Sequence, residues 1–244
     1  MKTLAHKLIS VASGVPSIAT GDIVICNVDL AMIHDSGGPR RVKPILERLN
    51  RSVWDKDKVF VVTDHYVPAT NAETQAIQAL TKEWVREQDI EKFYDEQGIC
   101  HVVLPERGHL SPGKFCVGGD SHSPTGGAFG AYMFGIGATE MAGVLATGTI
   151  WIKVPETILI RWHNQLSPFV TAKDMMLATC RKIGMGGGRY QAIQFAGDAV
   201  RQLGMQDRMT LSNMAAELGA QAGLIAPDET TIDYIHKAGG IVPE

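Results

Sequence analysis

The spacing of apolar residues changes repeatedly along the chain, from a three-to-four period to short, nearly continuous runs. That alternation predicts an α/β protein. "TLAHKLISVASG" puts Leu4, Leu8 and Val11 on one face and meets Gly14, which predicts a first helix. "DIVICNVDLAMI" predicts a strand, and "PRRVKPILERLN" a short helix with a basic entry. "KVFVVTDHYV" predicts a buried strand ending in Asp64-His65. "NAETQAIQALTKEWVREQD" predicts a long helix capped by Asn71 with Thr74. "ICHVVLP" reads as another strand, with His101 inside it. "KFCVGGDSH" is a strand ending in Asp120-Ser121-His122, and "ATEMAGVLATGTI" a helix.

The composition shifts near Val154-Pro155-Glu156, which divides the chain into units 1–155 and 156–244. The second unit opens with the strand "TILIRW". Thr171 and Asp174 form a capping-box pattern before "MMLATCRKIG". A flexible "GMGGGR", a strand "YQAIQFAG", a helix "NMAAELGAQAG" after Ser212, a short strand "LIA" and a helix from Asp228 follow. No internal repeat is visible.

Polar residues fall at particular places in this pattern. Asp64-His65 and Asp120-Ser121-His122 each sit just past the carboxyl end of an apolar strand, and His34-Asp35-Ser36 has a similar setting. In an open parallel sheet that edge is where ligands bind. A histidine beside a carboxylate is held in one tautomer and tuned as an acid or base. Each pair alone also fits a helix cap or loop anchor. His101, inside its expected strand, reads as a core histidine, and His109 and His163 as surface or loop residues.

Composition narrows the function. The 244 residues, 45% hydrophobic, 20% charged and of net charge −3, carry no basic footprint for nucleic acid. No segment approaches a membrane span and no secretory leader is evident, so a cytoplasmic setting is expected. Cys26, Cys100, Cys116 and Cys180 are scattered, without a C-x-x-C pair, and read as small buried hydrophobes. The 26 glycines exceed the roughly 17 that average usage gives, and their clustering implies close backbone approaches. "GIGATE" lacks the third glycine of the dinucleotide fingerprint, no phosphate-loop lysine motif occurs, and "GDSHS" is not a nucleophile elbow.

The blocks together resemble a family. "GGDSHSPTGGAFGAYMFGIGATEMAGVLATGT", "DLAMIHDSGGP", "VTDHYVP", "GICHVVLPERGHLSPG", "TAKDMMLA", "IQFAGDAVRQL" and "RMTLSNMAAELGAQAGLIAPDETTIDYI" follow, in order and over essentially the whole chain, the wording of the aconitase superfamily. The likeness is to the large subunits of the 3-isopropylmalate dehydratase and homoaconitase branch. It implies aconitase-like α/β/α layers with mostly parallel sheets, in two domains. It also implies a hydro-lyase of leucine or related amino-acid biosynthesis acting on a hydroxy di- or tricarboxylic acid. Asp64 with His65, His101 with Asp120, and His122 with Glu217 are the catalytic pairs implied. Ser121 and His34 are implied substrate contacts, and Asn213 an approach to the cofactor. That cofactor is a [4Fe-4S] cluster acting as Lewis acid, and the partner is a small swivelling-domain subunit.

The sequence departs from the family in one respect. The family's "G-S-C-T-N" and "C-G-x-C" blocks, which hold the cluster, do not occur here, and the four cysteines are not at family ligand positions. No cluster and no metal are expected on this chain alone. Three readings follow: the first two domains of a large subunit, a natural short subunit completed by a cluster-bearing chain, or a non-catalytic binding or assembly module that keeps the fold. On the first two, apolar faces left open predict self-association.

Overall fold

The structure, a computed structural model, describes residues 2–243. In chain order the elements are α1 (Leu4–Ser13), β1 (Ile23–Asn27), β2 (Leu30–His34), α2 (Pro39–Leu49), β3 (Val59–Thr63), α3 (Ala72–Glu87), β4 (Phe93–Asp95), α4 (Cys100–Glu106) and β5 (Phe115–Gly118). A 3₁₀ helix over Ser123–Phe129 leads into β6 (Tyr132–Gly135), α5 (Ala138–Thr147) and β7 (Thr149–Lys153). The remainder is β8 (Thr157–Arg161), α6 (Ala172–Ile183), β9 (Ala192–Ala196), α7 (Asp198–Gln202), α8 (Met205–Asn213), β10 (Ala222–Ile225) and α9 (Glu229–Lys237).

The main sheet is parallel throughout, in the order β4-β3-β2-β5-β6. Every residue of β2, β3 and β5 is buried. This is why their sequences are continuous apolar runs rather than alternating ones. One face of the sheet carries Ala31, Ile33, Val59, Val61, Val117 and Phe134 and packs with residues of α1, α2, α3 and α5. The other carries Leu30, Met32, Phe60, Val62, Cys116 and Met133 and packs with Leu104 of α4, Phe129 of the 3₁₀ helix, Met205 of α8 and Ile235 of α9. The α/β/α layering expected from the sequence is therefore present. A second parallel sheet, β10-β9-β8, lies beyond residue 155.

The two parts of the chain interlock. Helices from beyond residue 155 cover one face of the first sheet, and β7 returns to pair antiparallel with β1. The 3₁₀ helix crosses β10 so closely that a Cβ on Gly127 would lie 1.9 Å from the Gly223 carbonyl oxygen. Buried Arg208 fixes the C-terminal part. Its guanidinium donates to both Asp228 oxygens at 2.6 and 2.8 Å, to Thr231 Oγ1, and to the carbonyls of Leu203 and Arg201.

Several elements differ from the expectation. "DIVICNVDLAMI" is two strands, because Asp29 turns the chain into β2 and its carboxylate accepts the Phe115 N–H at 2.8 Å. In α1 the buried face is Ala5, Leu8, Ile9 and Ala12, whereas Val11 is 75% exposed. "ICHVVLP" is helix α4, not a strand: Cys100, Val103 and Leu104 are buried at helical spacing. The helix expected after Ser212 is instead α8, which ends at Asn213. His109 lies in a loop, as expected, but is half-buried rather than at the surface. It packs edge-on against Phe60, pairs with the Tyr94 hydroxyl, and burial pushes its pKa down to about 4. His163 is exposed, as expected. No helix among the described residues is long and apolar enough to cross a membrane.

Candidate active site

Because β2, β3 and β5 are adjacent and parallel, their carboxyl ends open on one edge. That edge brings His34, Asp64-His65 and Asp120-Ser121-His122 together, and α4 adds His101 from the side. His65 Nδ1 lies 2.6 Å from Asp64 Oδ1. The other Asp64 oxygen accepts the Cys100 N–H at 2.7 Å, at the start of α4. One carboxylate thus orients a histidine and holds the helix that carries another.

Asp120 is the centre of the cluster. Its Oδ1 is 2.6 Å from His101 Nε2 and accepts the His122 N–H at 2.8 Å. Its Oδ2 faces His65 Nε2 at 3.6 Å and His34 Nε2 at 3.9 Å. The hydrogen bond from His101 is the main reason its pKa lies far below the ordinary carboxylate range, against the opposing effect of burial. Asp120 is ionised at neutral pH. The tight turn around it needs Gly135, where a Cβ would lie 2.5 Å from the Asp120 carbonyl oxygen.

His122 Nε2 lies 3.0 Å from Glu217 Oε1, while Glu217 Oε2 is buried without a partner. Ser121 is exposed, with its hydroxyl 3.2 Å from His122 Nδ1. Asn213 donates to Thr125 Oγ1 at 2.9 Å, and Thr125 donates to the His122 carbonyl at 2.6 Å. His101, Thr125, Asn213 and Glu217 line a cavity of about 550 Å³, and Asp120 and Ser121 line one of about 390 Å³. The three histidine–carboxylate pairs named from the sequence are all formed.

His34 is placed differently from the other candidates. It is buried, and both ring nitrogens are engaged: Nδ1 accepts the Gly37 N–H at 3.3 Å and Nε2 donates to the Gly119 carbonyl at 3.0 Å. Sequence reasoning gave no role to Asp35, which is fully buried. Its carboxylate accepts the backbone N–H groups of Ser36, Asp64, His65 and Tyr66 at 3.0–3.4 Å. The only signal for it is its place beside His34 at a strand end. His34, Asp35, Asp64 and His65 offer ligand atoms within 4.8 Å of one another. Those atoms are already spent on each other and on backbone groups, as in a hydrogen-bonded support. Asp35→Asn turns one acceptor oxygen into a donor facing N–H groups. We expect it to lower unfolding stability by about 2 kcal/mol, read by urea denaturation, with Asp64 and His65 amide signals displaced in NMR spectra.

The thiols do not assemble an iron–sulfur site. Cys26 and Cys116 lie in β1 and β5, Cys100 opens α4, and Cys180 is half-buried on α6. Burial pushes Cys26 and Cys116 up to about 12 and raises Cys100 and Cys180 as well, which opposes the thiolate form that binds iron.

The sequence matches the aconitase family (aconitate hydratase) over residues 8–241. It is 47% identical over 240 residues to 3-isopropylmalate dehydratase large subunit 1 of Methanopyrus kandleri, covering 98% of this chain and 57% of that protein. It is 44% identical over 213 residues to a probable methanogen homoaconitase large subunit of Methanosarcina mazei, covering 87% of this chain and 54% of that protein. Among solved structures, aconitase X of Thermococcus kodakaraensis aligns with TM-score 0.51 and 12% identity, over 91% of this chain and 57% of that one, a likeness of fold. The chain spans 57% of the length of the first-named relative.

Proposed function

We propose a function from one premise: the chain belongs to the aconitase family. In this reading the chain supplies the histidine–carboxylate part of a hydro-lyase site for a hydroxy di- or tricarboxylic acid such as 3-isopropylmalate. One observation carries it: three histidine–carboxylate pairs converge at the strand ends of one parallel sheet. Dehydration needs a proton removed α to a carboxylate and a proton delivered to the departing hydroxyl. His101, held by ionised Asp120, is proposed as the group that delivers a proton to that hydroxyl. His65 with Asp64, and His122 with Glu217, flank it, and the α proton is taken by a base that the small-subunit partner supplies. Ser121, exposed at the mouth of the smaller cavity, is proposed as a carboxylate contact, and Asn213 as a contact to the cofactor.

The cysteines of this chain do not fit a [4Fe-4S] cluster, so no step is derived through one. The proposal places any cluster on residues outside these 244 and takes the small subunit as the partner that completes the substrate pocket. The division into units 1–155 and 156–244, and a cytoplasmic setting, belong to the same proposal.

The test is reconstitution. The chain is co-expressed anaerobically with a cysteine-bearing polypeptide matching the remainder of the Methanopyrus relative, with and without a small subunit. Hydration of the unsaturated acid is followed by loss of its ultraviolet absorbance. Activity is expected only from the complete set. A folded, cluster-loaded assembly inactive on isopropylmalate, homocitrate and dimethylmalate substrates would remove the hydro-lyase reading and favour a binding module.

A further inference from the structure

The ring of His34 lies flat on the ring of His65, with centroids 3.9 Å apart and planes 11° from parallel. The lower ring cannot turn. Gly37 N–H and the Gly119 carbonyl hold its two nitrogens from opposite sides, which fixes the neutral tautomer with the proton on Nε2. Its side chain is only 5% exposed. A Cβ on Gly37 would come within 3.3 Å of the ring, so the loop packs closely over it. The upper ring is held at one edge by Asp64 and lies near Asp35 and Asp120 at 3.9 and 3.6 Å.

We propose that His34 is a positioning residue for His65: its locked ring is the surface that keeps the His65 imidazole aligned with Asp64 and facing Asp120. This deepens the hydro-lyase reading, since it concerns a proposed catalytic pair. It is a role separate from the substrate contact expected of His34, and it rests on both ring nitrogens being held by backbone groups. Charge agrees with the geometry. Burial, then the neighbouring His65, push the His34 pKa down, against the Gly119 carbonyl, Asp64 and Asp120, and so keep the stacked ring neutral. Two cationic imidazoles at this separation would repel. The groups facing the pair are Asp35 at the end of β2, Asp64 after β3 and Asp120 after β5. Arg40 of α2 reaches the next side chain, Tyr66.

Two substitutions separate a stacking role from a loop-holding role. His34→Gln can restore hydrogen bonds to Gly37 and Gly119 but has no ring. His34→Phe keeps a ring face but forms neither bond. The readout is exchange of the His65 Nδ1–H proton in ¹⁵N-histidine-labelled chain, which needs no substrate, cluster or partner. Exchange is expected to quicken about fivefold in His34→Gln, the factor an aromatic stack is worth, and to stay within about twofold of wild type in His34→Phe. Faster exchange in His34→Phe with none in His34→Gln would make His34 a loop anchor and overturn the proposal. No change in either would also overturn it. If His34→Phe does not fold, His34→Gln decides alone, and unchanged exchange there refutes the stack. None of these outcomes depends on activity, so failure here and failure of the hydro-lyase reading remain distinct.

Discussion

Replacing Arg208 with methionine is expected to lower unfolding free energy by about 3 kcal/mol. Losing one partner of a buried ion pair costs about 3–5 kcal/mol, because the other charge is stranded. The lower end applies here, since the Asp228 side chain is 37% exposed and can recover water. Other losses keep the cost substantial. The carbonyls of Leu203 and Arg201 lose donors, and the carboxylate that caps α9 loses its counter-charge. Denaturant titration of both proteins measures the effect, and a loss below about 1 kcal/mol contradicts it. The pH dependence has a definite sign. The hydrogen bond from Arg208 is the main cause of the lowered Asp228 pKa. The ion pair's contribution is therefore complete above the ordinary carboxylate value and is lost as pH falls through the lowered one. The gap between wild type and variant should be constant near neutrality and narrow once pH falls below the ordinary carboxylate value.

Arg208 also shows why part of the fold was hard to read. A buried arginine at the centre of α8 breaks the apolar stripe that marks a helix, so "MQDRMTLSN" carries no clear amphipathic signal. The more apolar "NMAAELGAQAG" beside it drew the helix assignment, although in the structure it is largely turn. "ICHVVLP" misled for a different reason. It is β-branched and apolar, like the neighbouring strands, but its helix start is fixed by Asp64, 36 residues away in sequence. A non-local cap leaves no local trace. Where signals were local they read correctly: the capping boxes at Asn71-Thr74 and Thr171-Asp174, and Gly14 in the left-handed conformation after α1.

The site was legible in the same uneven way. Strand-end placement of Asp64-His65 and Asp120-Ser121-His122 follows from hydrophobic pattern alone, because a parallel sheet delivers its strand ends to one edge. Pattern alone made His101 a core residue. Glu217 lies in a turn with no periodic context and came forward only through resemblance. Asp35 showed only as part of the polar triplet at a strand end, with no role attached. A carboxylate accepting four backbone N–H groups is a tertiary arrangement that no local pattern announces.

Asp120→Asn is expected to have the largest effect on chemistry: kcat in the reconstituted assembly should fall by about 10²–10⁴-fold, the range for removing general acid–base support. The amide can turn its oxygen toward His101 and the His122 N–H, so the fold should survive. Its nitrogen then faces His65 and His34 with no negative charge to offer. The lost charge stabilises a protonated His101 when it is placed to donate. Asp120 is lowered well below ordinary carboxylates, chiefly by the His101 hydrogen bond, so its stabilising charge is present above the usual carboxylate pKa and lost only in strong acid. Because Asp120 itself stays ionised across the neutral range, its own titration adds nothing to the pH dependence of the deficit. Losing its charge disfavours protonated His101, so the deficit should widen as pH rises. A deficit that does not change with pH would argue against His101 as the proton donor. A kcat within about tenfold of wild type would leave Asp120 as a fold element and His101 without the anion that makes it an acid. Glu217→Gln supplies the contrast. Glu217 is one-third exposed and, among the described residues, has its one side-chain hydrogen bond to His122, so water can replace part of what it provides and a smaller fall is expected.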